Sequence, residues 1–105
     1  MIAAFPGVAE TKARPAVVLS TAEYHRHRPD VILGMITTQR PRNYAPSDHM
    51  LMDWQEAGLH APSWFRLFVV TLPQSRVRVT GRLSDADWVS VQRCVLSGLG
   101  PVSGR

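Results

Sequence analysis

Short runs of β-type residues alternate with turn segments along the first four fifths of the chain. The clearest is Val31–Thr38, and a second follows Pro15 as Ala16–Ser20. Val77–Leu83 alternates apolar and polar side chains, which is typical of a half-buried strand. The intervening Thr21–Pro29 is predicted to be a loop or short helical turn. In all, the pattern predicts strands near residues 1–5, 15–20, 31–38, 49–53, 63–72 and 77–83.

The last quarter of the chain has a helical pattern instead. Ser84 and Asp87 resemble a capping box, with Asp in place of the usual Glu or Gln. An apolar stripe then recurs at helical spacing, and the helix is expected to end at Gly100 and Pro101. The stripe consists of Trp88, Val91, Val95 and Leu99. We therefore predict a mainly β fold, a small sheet of five or six strands, closed or nearly so, with one C-terminal helix. Residues 1–105 are expected to form a single domain with a frayed tail after residue 100.

The charge is basic and comes almost entirely from arginine. The net charge is +4 and the pI about 10.2; Lys12 is the only lysine among 12 basic residues. Between His25 and Arg42 there is one acid, Asp30, among several arginines, namely Arg26, Arg28, Arg40 and Arg42. Arginine binds phosphate in a bidentate manner. The cluster fits a phosphate-binding surface, and it equally fits a solvated loop face.

Several classes of protein are disfavoured. No apolar run is long enough to cross a bilayer, the N-terminus lacks the features of a signal peptide, and the lone Cys94 cannot form an internal disulfide. A cytoplasmic protein is the simplest expectation. No spacing of His, Cys and Asp indicates a metal site, and no cofactor is expected. The four histidines are expected to be solvated: His25, His27, His49 and His60.

Two residues at the ends of neighbouring predicted strands carry candidate chemistry. If the strands lie side by side, Arg14 and Thr37 meet at one rim of the sheet. A cation beside a hydroxyl suits the binding and cleavage of a phosphodiester. Taken alone, Arg14 could also be a surface arginine paired with a carboxylate, and Thr37 an ordinary strand residue.

Six segments, in order, carry a resemblance that covers nearly the whole chain. They are FPG, KARPAVVLS, RPDVILGMITTQ, DWQEAGL, PSWFRLFVVTL and GRLSDADWVSVQ. Together they resemble the MazF/PemK family, toxin endoribonucleases of bacterial type II toxin–antitoxin systems. The resemblance implies a small SH3-like barrel of the MazF/CcdB type, a homodimer, and metal-independent, sequence-selective cleavage of single-stranded RNA such as mRNA. It also implies a cognate antitoxin that blocks the RNA groove.

The resemblance assigns catalytic roles to two positions. Arg14 matches the arginine that opens the family's second strand, and its cation would stabilise the negative charge that builds on the phosphoryl oxygens when the 2′-hydroxyl attacks phosphorus. Thr37 matches the threonine or serine that ends the third strand, and it would hold a phosphate oxygen or orient the attacking group.

Six further positions are candidates for substrate binding: Glu10, Lys12, Thr38, Gln39, Ser63 and Arg66. Glu10 could serve as the general base or orient Arg14, and it could equally have no role. Lys12 could touch phosphate or be solvated, and Arg66 could instead pair with Asp53. Base preference is expected to depend on two loops, Thr21–Pro29 and Gln39–Asp48.

The chain departs from the family at its start. Met1 falls inside the expected first strand and no Gly-Asp pair precedes it. Either the start is truncated or miscalled, or part of this strand is lost, and an incomplete first strand would leave a sheet edge open. Two alternatives to an active nuclease therefore stay open. One is a non-enzymatic toxin of the same fold that binds DNA gyrase, and the other is an inactive remnant that binds the antitoxin.

Overall fold

A computed structural model describes residues 2–6 and 13–100 of the 105-residue chain. Its elements are β1 (Ile2–Pro6), β2 (Ala13–Val18), α1 (Ala22–His27), β3 (Asp30–Thr37), β4 (Asp48–Met50), β5 (Trp64–Pro73), a short 3₁₀ turn (Gln74–Arg76), β6 (Arg78–Gly81) and α2 (Asp85–Leu99). The six predicted strands and the C-terminal helix are all present. The segment predicted to be a loop or helical turn forms α1, which Thr21 caps by accepting a hydrogen bond from the backbone N–H of Tyr24. The predicted tail after residue 100 lies outside the described residues.

All six strands join one antiparallel sheet in the order β4-β5-β3-β2-β1-β6. The longest partnership joins β3 to β5 and runs from Asp30 opposite Pro73 to Thr37 opposite Trp64. Strand β1 is five residues long and lies between β2 and β6. Along Ile2–Pro6 the strand is hydrogen-bonded on both sides, so this part of β1 is not a sheet edge.

The main core lies between one face of the sheet and α2. Phe65, Val17 and Ile36 from the strands pack with Val91 and Cys94 of the helix. Alternate strand residues point to the opposite face. There Ala16, Val18, Val31 and Leu33 form a second, smaller cluster. Both faces of β2 and β3 are thus buried along most of their length, which fixes the register of these two strands.

Gly34 on β3 makes room for the main core. A Cβ atom at this position would lie 2.5 Å from Cε1 of Phe65, whose side chain is fully buried. Glycine therefore allows the aromatic ring to lie against the backbone of β3. Next to this glycine the register of the β3–β5 pair shifts, so that Leu67 and Phe68 of β5 have no partner on β3.

The start of α2 is tied to the loop after β4 by a buried carboxylate. Ser84 accepts a hydrogen bond from the backbone N–H of Asp87, as the capping pattern predicts. The carboxylate of Asp87 accepts hydrogen bonds from the backbone N–H groups of Met52 and Asp53 and from Nε2 of His49, at 2.8–2.9 Å. The side chains of His49 and Asp87 are 16% and 1% exposed. The expectation of a solvated His49 is therefore wrong.

The other three histidines differ among themselves. His27 and His60 are exposed, as expected. His25 is half-buried, with Nε2 at 2.6 Å from Oγ of Ser20, which also accepts the backbone N–H of Ile32. This bond fixes the turn between β2 and α1.

Among the described residues, neither helix has the length and apolar character that a bilayer crossing requires.

Candidate functional site

An open groove of about 750 Å³ lies at one rim of the sheet. It is bounded by the start of β2, the end of β3, the loop that follows β3, and the starts of β4 and β5. Six of the eight candidate residues line it: Arg14, Thr37, Thr38, Gln39, Ser63 and Arg66. The other two, Glu10 and Lys12, lie outside the described residues.

The pairing of β2 with β3 ends at Ala16 and Met35. If the same register is extended by two residues toward the rim, Arg14 comes level with Thr37, and both residues line the groove. Residues level with each other in this way point to the same face of the sheet. That face is the one turned away from α2, since the intervening Ile36 points into the main core. Cation and hydroxyl thus share one rim and one face.

The hydroxyl of Thr37 has a defined orientation. Its Oγ1 accepts a hydrogen bond from the backbone N–H of Gln39 at 3.1 Å. This bond uses an oxygen lone pair and leaves the hydroxyl proton to be donated. A hydroxyl held in this way suits donation to a phosphate oxygen. Thr38 and Gln39 follow as exposed side chains at the mouth of the groove.

A second set of paired residues lies two positions further from the rim along β3. Arg66 on β5 is opposite Met35 on β3 and opposite Asp48 on β4. The side chain of Arg66 is exposed, and within the described part of the chain it forms no ion pair. The alternative of a pair with Asp53 is not found. The guanidinium can therefore turn toward a ligand in the groove.

Ser63 borders the groove but is 2% exposed. Its Oγ donates to the backbone oxygen of Ala61 at 2.8 Å, and its own backbone oxygen accepts the N–H of Leu51. The hydroxyl proton is thus used within the protein. Ser63 holds the chain at the start of β5, and its Oγ could contact a ligand only as an acceptor.

The arginine-rich stretch of the sequence is divided between two ends of the sheet. Arg40 and Arg42 line the groove. Arg26 and Arg28 lie at the far end of β3, and that eight-residue strand spans roughly 25 Å. The four arginines therefore do not share one groove, and phosphate binding by this stretch stays a prediction. For the same reason the Thr21–Pro29 loop is remote from the groove, and only Gln39–Asp48 borders it.

Three groove residues are not singled out by the sequence. Arg40 and Arg42 stand there only as part of a general basic stretch, and Asp48 only as the end of a loop. Asp48 is 8% exposed and is the one carboxylate among the described residues that line the groove. The sequence indicates a role for Asp48 only through its position just before a predicted strand. Nowhere in residues 2–6 and 13–100 do three or more His, Cys, Asp or Glu side chains converge as metal ligands would.

The fold matches several solved toxin structures. One is a mycobacterial endoribonuclease in complex with its cognate antitoxin (TM-score 0.76, 16% identity, 95% of this chain and 92% of that chain). Another is the Mycobacterium tuberculosis toxin MazF-mt6 (TM-score 0.76, 20% identity, 93% and 94% covered). A third is the MazE–MazF complex of Deinococcus radiodurans (TM-score 0.69, 21% identity, 94% and 90% covered). At these identities the likeness establishes the fold, which is mainly β and of the MazF type, as predicted.

Family membership rests on the sequence itself. A direct comparison with curated protein sequences finds no match. The model of the PemK-like, MazF-like toxins of type II toxin–antitoxin systems matches residues 1–99. Because that match covers nearly the whole chain, the resemblance seen in the six segments is confirmed, and the chain belongs to the PemK-like, MazF-like family of toxins.

Proposed function

We propose that this toxin is an endoribonuclease that cleaves single-stranded RNA in the groove without a metal ion. The observation that carries the proposal is that Arg14, at the start of β2, and Thr37, at the end of β3, line the same groove. A permanent cation and an oriented hydroxyl donor at one rim are the groups that a phosphodiester needs to be held and activated. Arg40, Arg42 and Arg66 add positive charge along the path of the RNA backbone.

The proposed reaction is an internal displacement at phosphorus. The 2′-hydroxyl of one nucleotide attacks the adjacent phosphorus and forms a P–O2′ bond. The bond from phosphorus to the 5′ oxygen of the next nucleotide breaks. The products are a 2′,3′-cyclic phosphate and a 5′-hydroxyl, and the proton lost by the 2′-hydroxyl is balanced by the proton gained by the leaving oxygen.

Arg14 and Thr37 act on the charge that builds during this step. Negative charge grows on the non-bridging oxygens as the new bond forms, so a fixed guanidinium and a hydroxyl donor bind the transition state more tightly than the substrate. No metal ion is needed for this stabilisation, because Arg14 supplies the positive charge. Glu10 has the chemistry of a general base for the 2′-hydroxyl, and the alternative is that it orients Arg14.

The groove is suited to an unpaired strand. Its arginines can bind phosphates, and the exposed side chains of Thr38 and Gln39 can bind the edges of unstacked bases. Unpaired RNA is recognised by such contacts, whereas the bases of an A-form duplex are largely hidden. The substrate class is therefore single-stranded RNA, including mRNA, with some sequence selectivity.

We further propose a homodimer, regulated by an antitoxin, in the cytoplasm. Large apolar side chains on β5 and α2 are exposed in the single chain, among them Phe68, Leu96 and Leu99. Such side chains are typical of an interface between proteins. A basic groove favours an acidic, extended antitoxin segment as a competitor of RNA, and the mycobacterial relative was solved with its cognate antitoxin. Growth regulation would follow from the balance of the two proteins.

The test is RNA cleavage in EDTA by the wild type, by Arg14→Ala, and by Arg26→Ala as a matched control. Arg26 is an exposed arginine of α1, at the far end of the sheet. The proposal predicts discrete fragments from the wild type and the control, and none from Arg14→Ala. Folded wild-type protein that leaves RNA intact would favour the gyrase-binding toxin or the inactive remnant. Cleavage by Arg14→Ala at the wild-type rate would remove Arg14 from the mechanism.

A further inference from the structure

Asp48 is a carboxylate in a groove that is otherwise basic. It stands at the start of β4, directly opposite Arg66, and its side chain is largely buried. Phosphate is the principal anion of the proposed ligand, and a carboxylate repels it. Asp48 must therefore serve the protein alone or bind a part of RNA that carries hydrogen-bond donors.

The carboxylate is held in one orientation by its own turn. Oδ2 accepts the backbone N–H of Ala45 at 3.1 Å, and the N–H of Asp48 donates to the oxygen of Ala45 at 2.9 Å. These two bonds close the turn from Ala45 to Asp48 at the end of the loop that borders the groove. One carboxylate oxygen is thus used within the protein. The second oxygen keeps the capacity to accept a hydrogen bond from a ligand.

The position of Asp48 in the sheet separates it from the proposed reaction centre. The strand order β2-β3-β5-β4 places Asp48 three strands from Arg14, which is about 14 Å at the usual strand spacing. A group at that distance cannot contact the phosphate held by Arg14 and Thr37. It can contact the base of a neighbouring nucleotide whose backbone lies along the same groove.

The chemistry of one fixed acceptor selects among the bases. Carboxylates accept hydrogen bonds from the exocyclic amino group of cytosine, and the amino group of adenine offers the same donor. Guanine would pair its two adjacent donors with both carboxylate oxygens, and Oδ2 already accepts the N–H of Ala45, so guanine is expected to gain less than with a free carboxylate. A uracil held in the same way as cytosine would present its O4 carbonyl oxygen where cytosine has its amino group, and it would leave a desolvated carboxylate facing an acceptor.

We propose that Asp48 is a specificity-determining residue that selects cytosine or adenine, through the N4 or N6 amino group, over uracil at one position of the bound RNA. This rests on the proposed function, since it assumes that single-stranded RNA occupies the groove. Discrimination by one such hydrogen bond is expected to be roughly 5- to 150-fold in affinity. Asp48 is not a catalytic residue here, because it lies too far from the reacting atoms.

The test measures binding rather than cleavage. Short oligouridine RNAs with 2′-O-methyl riboses, which block 2′-hydroxyl attack, would carry a single cytosine, adenine or guanine at each position in turn. Affinities would be compared for the wild type, Asp48→Asn and Asp30→Asn at fixed salt. Asn can still accept the N–H of Ala45 through its oxygen, and it then presents an amide donor to the groove. Asp30 is a matched control, because it lies at the opposite end of β3.

The wild type is expected to prefer cytosine or adenine at one position of the RNA. Asp48→Asn should abolish this preference or reverse it toward uracil, and Asp30→Asn should preserve it. A wild type without base preference, or an unchanged preference in Asp48→Asn, overturns the proposal. If Asp48→Asn does not fold, the binding of dimethylated bases by the wild type decides. N4,N4-dimethylcytosine or N6,N6-dimethyladenine, which lack the donors, should bind as weakly as uracil, and undiminished binding would overturn the proposal. Failure to cleave unmodified RNA would count against the nuclease alone.

Discussion

Arg14 and Thr37 line the same groove, where β2 begins and β3 ends at the open rim of the sheet. The strand register therefore brings together two residues that are 23 positions apart in the sequence. Because the core beneath both strands is buried, a slip of the register would disrupt packing as well as the site. The proposed chemistry thus depends on the same packing that stabilises the fold.

Arg14 and Thr37 should act as one unit on the reacting phosphate. Removing either donor, with Arg14→Ala or Thr37→Val, is expected to lower kcat/KM by roughly 10²- to 10³-fold. The double variant should lose less than the product of the two, because both residues stabilise the same charge. Cleavage kinetics of the four proteins would measure the coupling. Thr37→Ser is the control that keeps the hydroxyl, and strict multiplicativity would show that the two residues act independently.

Arg40 and Arg42 should bind phosphates rather than bases. Each Arg→Ala variant is expected to weaken the binding of all unpaired RNA sequences alike. The slope of log K against log salt concentration should become shallower by about 0.7 for each phosphate that the variant no longer neutralises. Titrations at several salt concentrations would check this, with Arg28→Ala as a matched control at the far end of the sheet. An unchanged slope in both groove variants would place the RNA backbone elsewhere.

The buried Asp87 should make the fold sensitive to acid. Burial acts to raise the pKa of Asp87, but hydrogen bonds from the N–H of Met52, from His49 and from the N–H of Asp53 outweigh it, so the pKa lies below its usual value of 3.8. A carboxyl whose pKa is lower in the folded state stabilises the fold above that usual value. This contribution should be lost as the pH falls below 3.8 toward the folded pKa.

Replacing this carboxylate tests the same point. Asp87→Ala leaves two backbone N–H groups without acceptors and should lower the free energy of unfolding by roughly 2–4 kcal/mol. Asp87→Asn keeps an acceptor, and it should lose less stability at pH 7 and show a weaker dependence on acid than the wild type. Denaturant unfolding between about pH 2.5 and pH 7 would measure both effects. Equal acid dependence of the wild type and Asp87→Asn would show that other carboxyls govern it.

Gly34→Ala should strain the core without touching the groove. The added Cβ would press on the ring of Phe65, and such overpacking costs about 1–3 kcal/mol of stability. Thermal unfolding would reveal a lower melting temperature. Gly100→Ala is the control, because its Cβ would meet the flexible end of Leu96 at 3.3 Å. Equal melting temperatures for the two variants would contradict this account of Gly34.

Local patterns predicted most of the fold. The β-branched runs located β2, β3 and β5, and the Ser84 cap with its apolar stripe located α2, because these signals arise within a few residues. The buried pair of His49 and Asp87 joins residues 38 positions apart, and no local pattern indicates it. Arg26 and Arg28 are close in sequence to Arg40 and Arg42. The two pairs are separated in space because the whole of β3 runs between them.

The candidate site was predictable where it follows a strand end. Arg14 and Thr37 could be paired once β2 and β3 were taken as neighbours. Two other features depend on hydrogen bonds within loop turns, which the sequence pattern does not indicate. They are the inward hydroxyl of Ser63, bonded to Ala61, and the fixed carboxylate of Asp48, bonded to Ala45. Their roles therefore required the structure.

The most direct test of the central claim is cleavage, in EDTA, of an RNA with one 2′-deoxynucleotide immediately 5′ to the scissile phosphate. The account predicts that wild-type protein cuts the all-ribose RNA, leaving a 2′,3′-cyclic phosphate and a 5′-hydroxyl, and does not cut at the substituted position. Cleavage at the deoxynucleotide, or products ending in a 3′-hydroxyl and a 5′-phosphate, would contradict attack by the 2′-hydroxyl and with it the mechanism assigned to Arg14 and Thr37.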